Sequence, residues 1–462
     1  MTTQQATPAP VTAPGATPRL RMRPGRHIDG WDPEDTRQWS LIGRAVATTN
    51  LRWSVFAEFL GFVVWQLWSV VAVQLPAAGF DLSSAQVFWL ISVPSLVGAT
   101  LRIPYTFMVA RYGGRNWTTV SALLLLLPAC ALAVCVTNPA TPFPVLLGAA
   151  ALAGFGGGNF ASSMANITYF FPAREKGWAL GLNAAGGNLG AAVAQLAVPV
   201  VVSAGAAVAL GLPLAGLVWV PLILLAAWGA WRYMHNLTDA RGDVAGALAT
   251  LREPHLWVIA VLYVGTFGSF IGFSAVFPKL IADVFPQFSA IAVGGAALSL
   301  AFLGPLVGSV ARPYGGHLAD RLGGARVTVA ALGGMAALSL TVVLTLPLTN
   351  FWVFLGLFLA LFAASGLGNG ATYRMIPAVF AVRGHTGDGV EPRRKAAAAL
   401  GLVSAVGAYG GFVIPQVLNV SNEVTGSYDT AFHGFVAVYV TLMALAWVCY
   451  GRRGSRFAEA GV

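Results

Sequence analysis

Two arginines lie inside apolar stretches long enough to cross a membrane. Arg102 sits in the run from Val87 to Val109, and Arg312 in the run from Ala290 to Leu318. A charge in hydrocarbon costs several kcal/mol unless it faces a cavity and has a partner. A guanidinium also stays charged at any working pH and offers a planar fork of donors, which suits a flat oxyanion. The same pattern follows each arginine: Arg111, Gly113 and Gly114 after Arg102, and Arg321, Gly323 and Gly324 after Arg312, each pair 210 residues apart. These are corresponding positions of two related halves. One buried cation from each half implies a small anion held between them. Nine helical residues put each arginine roughly 13 Å from the cytoplasmic boundary. The hydrocarbon is about 30 Å thick, so both arginines lie near its midplane, where transporter sites form at the interface of repeats.

Glu58 is the one acidic residue well inside an apolar run. A single carboxylate cannot satisfy two guanidiniums, which favours an anion site over a purely structural pairing. Glu58 is one helical turn from Phe62 and on the same face. It lies roughly 12 Å deep, near the level of Arg102. An anion arriving at Arg102 would screen that cation and favour protonation of Glu58, which gives a route to coupling. Three readings stand for this residue: a carrier of a coupled proton, a static partner of Arg102, or neither.

The rest of the chain must position these groups in a bilayer. It has 462 residues, 57% hydrophobic and 10% charged, against about 25% charged in soluble domains. Twelve stretches approach or exceed the roughly 20 residues that span a bilayer: 51–76, 86–109, 116–136, 143–171, 177–203, 212–233, 255–280, 289–318, 325–347, 351–379, 396–420 and 429–451. The least regular boundaries are those around 203–212 and 280–290. The expected fold is an all-α membrane protein with 12 transmembrane helices in two pseudo-symmetric six-helix bundles. The expected divisions are a cytoplasmic tail 1–47, an N-terminal bundle 48–234, a cytoplasmic linker 235–254, a C-terminal bundle 255–451 and a cytoplasmic tail 452–462.

The repeat extends past the arginines. Gly156-Gly157-Gly158-Asn159 corresponds to Gly366-Leu367-Gly368-Asn369, and Ala179–Leu182 to Ala399–Leu402, the second pair offset by 220. The ten extra residues fall in Val382–Arg394. The same order of spans in both halves is a parallel repeat about an axis along the membrane normal. Glycines four residues apart, such as Gly154/Gly158 and Gly186/Gly190, let helix backbones approach closely. Close packing beside a cavity also narrows it to small ions.

Net charge is +10. The loops after alternate spans hold Arg111, Arg115, Arg174, Lys176, Arg241, Arg252, Arg321, Arg326, Arg383, Arg393, Arg394 and Lys395, while the opposite loops hold only Lys279 beside acids. The positive-inside rule then puts both termini in the cytoplasm. The basic balance reflects topology and anionic lipid, with no call for nucleic acid. The Pro- and Thr-rich N-terminal residues lack the apolar core of a signal peptide and read as a tail, disordered up to about Arg26. Cys130, Cys135 and Cys449 read as small buried hydrophobes. There is no nucleotide-binding loop, metal cluster or nucleophile triad, so neither a cofactor, a metal nor an enzymatic reaction is expected.

Arg-Tyr-Gly-Gly-Arg at 111–115 and Asp-Arg-Leu-Gly-Gly-Ala-Arg at 320–326 resemble the loop motif of the major facilitator superfamily. There, charges latch the cytoplasmic helix ends, so Arg111, Arg115, Arg321 and Arg326 are structural candidates. Asp320 occurs in the second copy alone, with Ala110 in its place in the first, and His317 reads as a further latch residue. Nearly the whole chain resembles the NarK-type nitrate/nitrite porters. The strongest passages are Trp31–Asp35, Leu101–Tyr105, Gly158–Ile167, Gly265–Ser274 and the Gly-rich segments Gly177–Gly190 and Ala399–Phe412.

The resemblance implies that Arg102 and Arg312 bind substrate, with Tyr263 and Asn188 as polar contacts and Phe62, Phe160 and Phe267 as aromatic walls. It implies nitrate and nitrite as ligands, with protons as a further partner through Glu58. Glu58 is a departure: pure exchangers of the family look apolar here, and proton-linked branches often carry a Glu in a similar Ala-Glu-x-x-Gly-Phe context. The implied protein is a monomeric secondary transporter of the bacterial inner membrane, running nitrate/nitrite antiport, nitrate/proton symport or both. Two alternatives are a nitrate sensor on a transporter scaffold and an exporter of another small inorganic anion.

Overall fold

The computed structural model describes residues 20–206, 211–238, 240, 250–293, 296–383, 390–452, 454, 456–459 and 462. Eleven helices are long and apolar enough to cross a membrane. In the first half they are α1 (Thr36–Gln74), α2 (Ser84–Tyr112), α3 (Gly114–Cys135), α4 (Phe143–Phe170), α5 (Ala173–Ala206) and α6 (Leu214–Tyr233). The second half has α7 (Pro254–Val284), then α8 (Leu303–Leu322), α9 (Gly324–Leu348), α10 (Phe351–Phe380), α11 (Ala399–Thr425) and α12 (Asp429–Gly451). Helix α8 makes the twelfth; Arg312, Asp320 and Arg321 make it more polar than the rest. The fold is therefore the expected helical membrane protein of two six-helix sets.

Within the first set α1 packs on α4 and α5, and α2 on α4; within the second, α10 packs on both α8 and α9. The sets meet where α5 touches α8, α2 touches α11, and α1 touches α7. Gln416 Nε2 of α11 donates to Ser92 Oγ of α2 at 2.7 Å, and the Ala297 amide donates to Ser203 Oγ of α5 at 3.0 Å. These ties lie toward the end remote from the Gly113 and Gly323 turns.

The repeat is legible in the turns. Gly113 (φ +87°) and Gly323 (φ +91°) occupy the same place between α2 and α3 and between α8 and α9. Both combine positive φ with extended ψ, a conformation essentially confined to glycine, and an L side chain held there costs on the order of 1–3 kcal/mol. A Cβ at Gly113 would also lie 2.3 Å from Asn236 Oδ1. Gly113→Ala is therefore expected to lower the melting temperature of the purified protein by several degrees; an unchanged melt would show that this turn carries no strain.

Three sequence expectations need correction. Span 289–318 does not start as a helix. Residues Ile291–Val293 (β4) and Ala296–Leu298 (β5) pair antiparallel, and α8 begins at Leu303. β-branched Ile291 and Val293 among small residues give no helical stripe there. Lys279 is not in a loop. It is buried in α7, clamped to Asp283 at 2.6 Å and 5.1 Å from the Phe88 ring of α2, while Tyr428 also donates to Asp283. The cysteines are not buried: Cys130 is exposed on α3 and the other two are half-buried.

The expected disorder up to Arg26 is also overturned for residues 20–26. Arg21–Arg23 (β1) and His27–Asp29 (β2) form a hairpin, and β2 pairs in parallel with Asn236–Leu237 (β3) at the end of α6. Arg26 donates from Nε to the Met234 carbonyl at 3.0 Å and from Nη2 to the Tyr233 carbonyl at 3.0 Å. It thereby caps the carboxyl end of α6, where cations are favoured. His235 is buried beside it, and burial, followed by Arg26 and Arg115, pushes its imidazole down to about 4. Trp31 Nε1 donates to the Tyr169 carbonyl and Glu34 Oε1 accepts from the Ala173 amide, so the segment also straps the junction of α4 and α5. Residues 1–19, half of the expected linker, and the side chains of Arg383, Arg393, Arg394 and Lys395 with the extra loop around them lie outside the described residues.

Candidate functional site

Arg102 is fully buried on α2, and its guanidinium is half-satisfied by backbone. Nε donates to the Gly157 carbonyl of α4 at 3.0 Å, and Nη1 to the Ser404 carbonyl of α11 at 2.9 Å. Nη2 is buried with no partner. Close approach of α2 and α4 allows the first bond: a Cβ at Gly98 would lie 3.1 Å from the Gly157 Cα. Arg312 on α8 donates from Nη2 to the Tyr263 hydroxyl at 3.4 Å, and its Nη1 is buried with no partner.

Both guanidiniums face the same two rings. Arg102 Cζ lies 4.5 Å from the Phe160 ring and 5.0 Å from the Phe267 ring. Arg312 Cζ lies 5.6 and 6.0 Å from those rings. Phe160 of α4 and Phe267 of α7 stack at 6.1 Å, and Tyr263 stacks on Phe267 at 5.2 Å. Helix α7 makes a wide π-type turn over Val264–Gly268, next to Tyr263; such turns occur often at functional sites. Phe62 of α1 meets Phe160 edge-on at 6.2 Å. A desolvated cation–π contact offsets about 2 kcal/mol of the burial cost. It leaves the mutual repulsion of the two cations and the orphaned N–H groups unanswered. A small anion answers both.

Asn188 of α5 is fully buried, and both its amide atoms lack a partner. Its amide makes no hydrogen bond to the cluster, so the ring and guanidinium contacts join six of the seven expected contact residues, and Asn188 sits on α5 with its amide unpartnered. Glu58 of α1 is 1% exposed. The static Glu58–Arg102 pair is not formed: the ion pairs among the described residues include neither. Glu58 Oε2 instead accepts from Asn183 Nδ2 at 2.7 Å.

Sequence reasoning missed four contributors. Tyr373 of α10 lies 5.6 Å from Arg312 Cζ and 5.7 Å from the Tyr263 ring, with its hydroxyl unpartnered. It sits one helical turn after Asn369 of the repeat, which could have flagged it. Trp65 flanks Arg102 at 5.3 Å and lies one residue short of a turn beyond Phe62. Ser404 acts through its carbonyl, so no side-chain signal exists for it. Asn183 hides among the small residues of α5. Elsewhere, Asp320 pairs with Arg374 of α10, an exposed latch at one end of α8. A cavity of about 710 Å³ near Gln74, Pro199, Pro278 and Ser299 touches none of the site residues.

Known proteins place this architecture. The Major Facilitator Superfamily model matches residues 55–415. The nitrate/nitrite transporter NarU of Escherichia coli (strain K12) is 41% identical over 92% of this chain and 96% of its own length. The probable nitrate/nitrite antiporter NarK2 of Thermus thermophilus is 37% identical over 94% of this chain and 99% of its own. A solved bacterial homologue of the human lysosomal transporter Spinster superposes with a TM-score of 0.60 at 16% identity, covering 87% of this chain and 96% of that one, and shares the fold. With two six-helix sets meeting around a buried pair of arginines, this chain belongs to the Major Facilitator Superfamily and, within it, to the NarK-type porters.

Proposed function

We infer that the chain is a secondary transporter of nitrate and nitrite that works by alternating access of the two bundles around Arg102 and Arg312. The observation that carries this is the pair of buried guanidinium nitrogens, one from each bundle, left without partners beside shared aromatic faces. Nitrate is planar, weakly basic and weakly hydrated. Aromatic faces sandwich it at little cost, and the free N–H groups with the Tyr263 and Tyr373 hydroxyls bond its oxygens. Phe62, Phe160 and Phe267 exclude water, and the unpartnered amide of Asn188 on α5 supports its expected role as a polar contact. The names of the relatives support nitrate and nitrite as the substrates.

In this reading the protein is a monomer of the bacterial inner membrane with both termini in the cytoplasm, and it needs no cofactor. Influx of bare nitrate against an inside-negative potential costs about 2.3 kcal/mol per 100 mV, so coupling is required. Exchange for outgoing nitrite is electroneutral. Symport with more than one proton drives accumulation, and a buried, unpaired Glu58 supports a contribution of this kind. Saturable nitrate flux in proteoliposomes tests the proposal; binding without flux would identify a sensor instead. Competition by chlorate, chloride and bicarbonate ranks the reading of an exporter for another anion. Tyr263→Phe and Tyr373→Phe should each raise the KM for nitrate roughly ten-fold, the loss of one hydrogen bond to a charged ligand. An unchanged KM in both would remove the hydroxyls from the site.

A further inference from the structure

Helix α5 treats the two oxygens of Glu58 differently. Asn183 Nδ2 donates to Oε2 at 2.7 Å and lies 2.7 Å from Ser163 Oγ of α4, which joins α1, α4 and α5 in one cluster. Oε1 is buried and has no partner. Facing it is Gly187, one turn along α5 from Asn183, where a Cβ would lie 2.4 Å from Oε1. Any larger residue would fill the space that this oxygen uses. The other charged or titratable groups facing Glu58 are Arg102 of α2, Arg312 of α8, Tyr263 of α7 and Tyr373 of α10.

We propose that Asn183 and Gly187 form a cradle that positions Glu58 for proton exchange. Asn183, together with the Ser163 hydroxyl beside it, holds the carboxyl and so helps to set the pH at which it takes up a proton; Gly187 leaves Oε1 unpartnered as the atom that receives it. The proposal rests on the reading of Glu58 as the proton-carrying group. A proton from water on the outer side adds to Oε1 of the ionised carboxylate and gives the neutral acid. It leaves the same oxygen to water on the inner side, and no other bond forms or breaks. A donated N–H favours the ionised form, so removing it makes protonation easier.

The test is nitrate uptake driven by an imposed pH gradient, measured across external pH in proteoliposomes. Nitrate/nitrite counterflow in the same vesicles normalises for folded protein. Asn183→Ala should move the pH midpoint of uptake upward by about one to two units, the worth of one charge-assisted hydrogen bond. Asn183→Ser keeps a donor and should move it less. Gly187→Ala should lower proton-driven uptake relative to counterflow by roughly ten-fold. A merely structural Asn183 would lower both fluxes together and leave the midpoint in place, and that result overturns the cradle. Should the Ala variant fail to fold, an unmoved midpoint in Asn183→Ser overturns it equally. Glu58→Gln separates the two levels: if it retains proton-driven uptake, the underlying role of Glu58 fails; if it loses that uptake while the Asn183 variants keep the wild-type midpoint, only the cradle fails.

Discussion

Arg312→Lys is expected to lower nitrate uptake by roughly 100-fold while the protein still inserts and purifies as a single species. A Lys at this position keeps the charge but loses the planar fork that bonds two oxygens at once. Each lost charge-assisted bond is worth about 1.5–3 kcal/mol. Arg102→Lys should be at least as damaging. Lys cannot reproduce both of the present bonds, Nε to Gly157 and Nη1 to Ser404, so it also loosens a tie between the two bundles. The measurement is initial-rate uptake of labelled nitrate in proteoliposomes, with chromatographic behaviour as the folding control. Wild-type uptake in either Lys variant would show that the guanidinium geometry is not what holds the anion.

The second large effect concerns Glu58. Glu58→Gln is close to isosteric, and its carbonyl oxygen can still accept from Asn183, so the fold should tolerate it. It cannot carry a proton. Proton-driven nitrate uptake should fall to the level seen without a pH gradient, while nitrate/nitrite counterflow continues. An unchanged response to the gradient would take Glu58 out of the mechanism and leave exchange as the coupling mode.

Much of this is legible in the sequence because membrane burial makes charge conspicuous. Arg102, Arg312 and Glu58 stand out in apolar runs, and the 210-residue offset pairs the arginines without any coordinates. The paired glycine turns are equally visible, since Gly113-Gly114 and Gly323-Gly324 recur at the same offset, and both Gly113 and Gly323 adopt positive φ. The aromatic walls are placed by family likeness, since phenylalanine inside a helix of phenylalanines carries no mark of its function. What stays hidden follows one rule: contacts made by backbone, or by common residues in common surroundings, leave no pattern. Ser404 offers only a carbonyl, and Asn183 differs little from the other amides of the bundle. Lys279 looks like a loop residue because its partner Asp283 lies four residues away on the same helix, so the pair neutralises itself inside the span. The hairpin before α8 reads as helix because an apolar run alone does not separate short strands from helical turns.

The small sheet that joins the N-terminal segment to the carboxyl end of α6 has a practical consequence. Because β2 is bonded both to β1 and to β3, residues near position 21 are fixed to the first bundle. Residues near position 451 close α12 and so belong to the second. Spectroscopic labels at these two places would ride on opposite rigid bodies. The separation between them would then serve as a ruler for the rocking motion, readable in the same vesicles in which flux is measured.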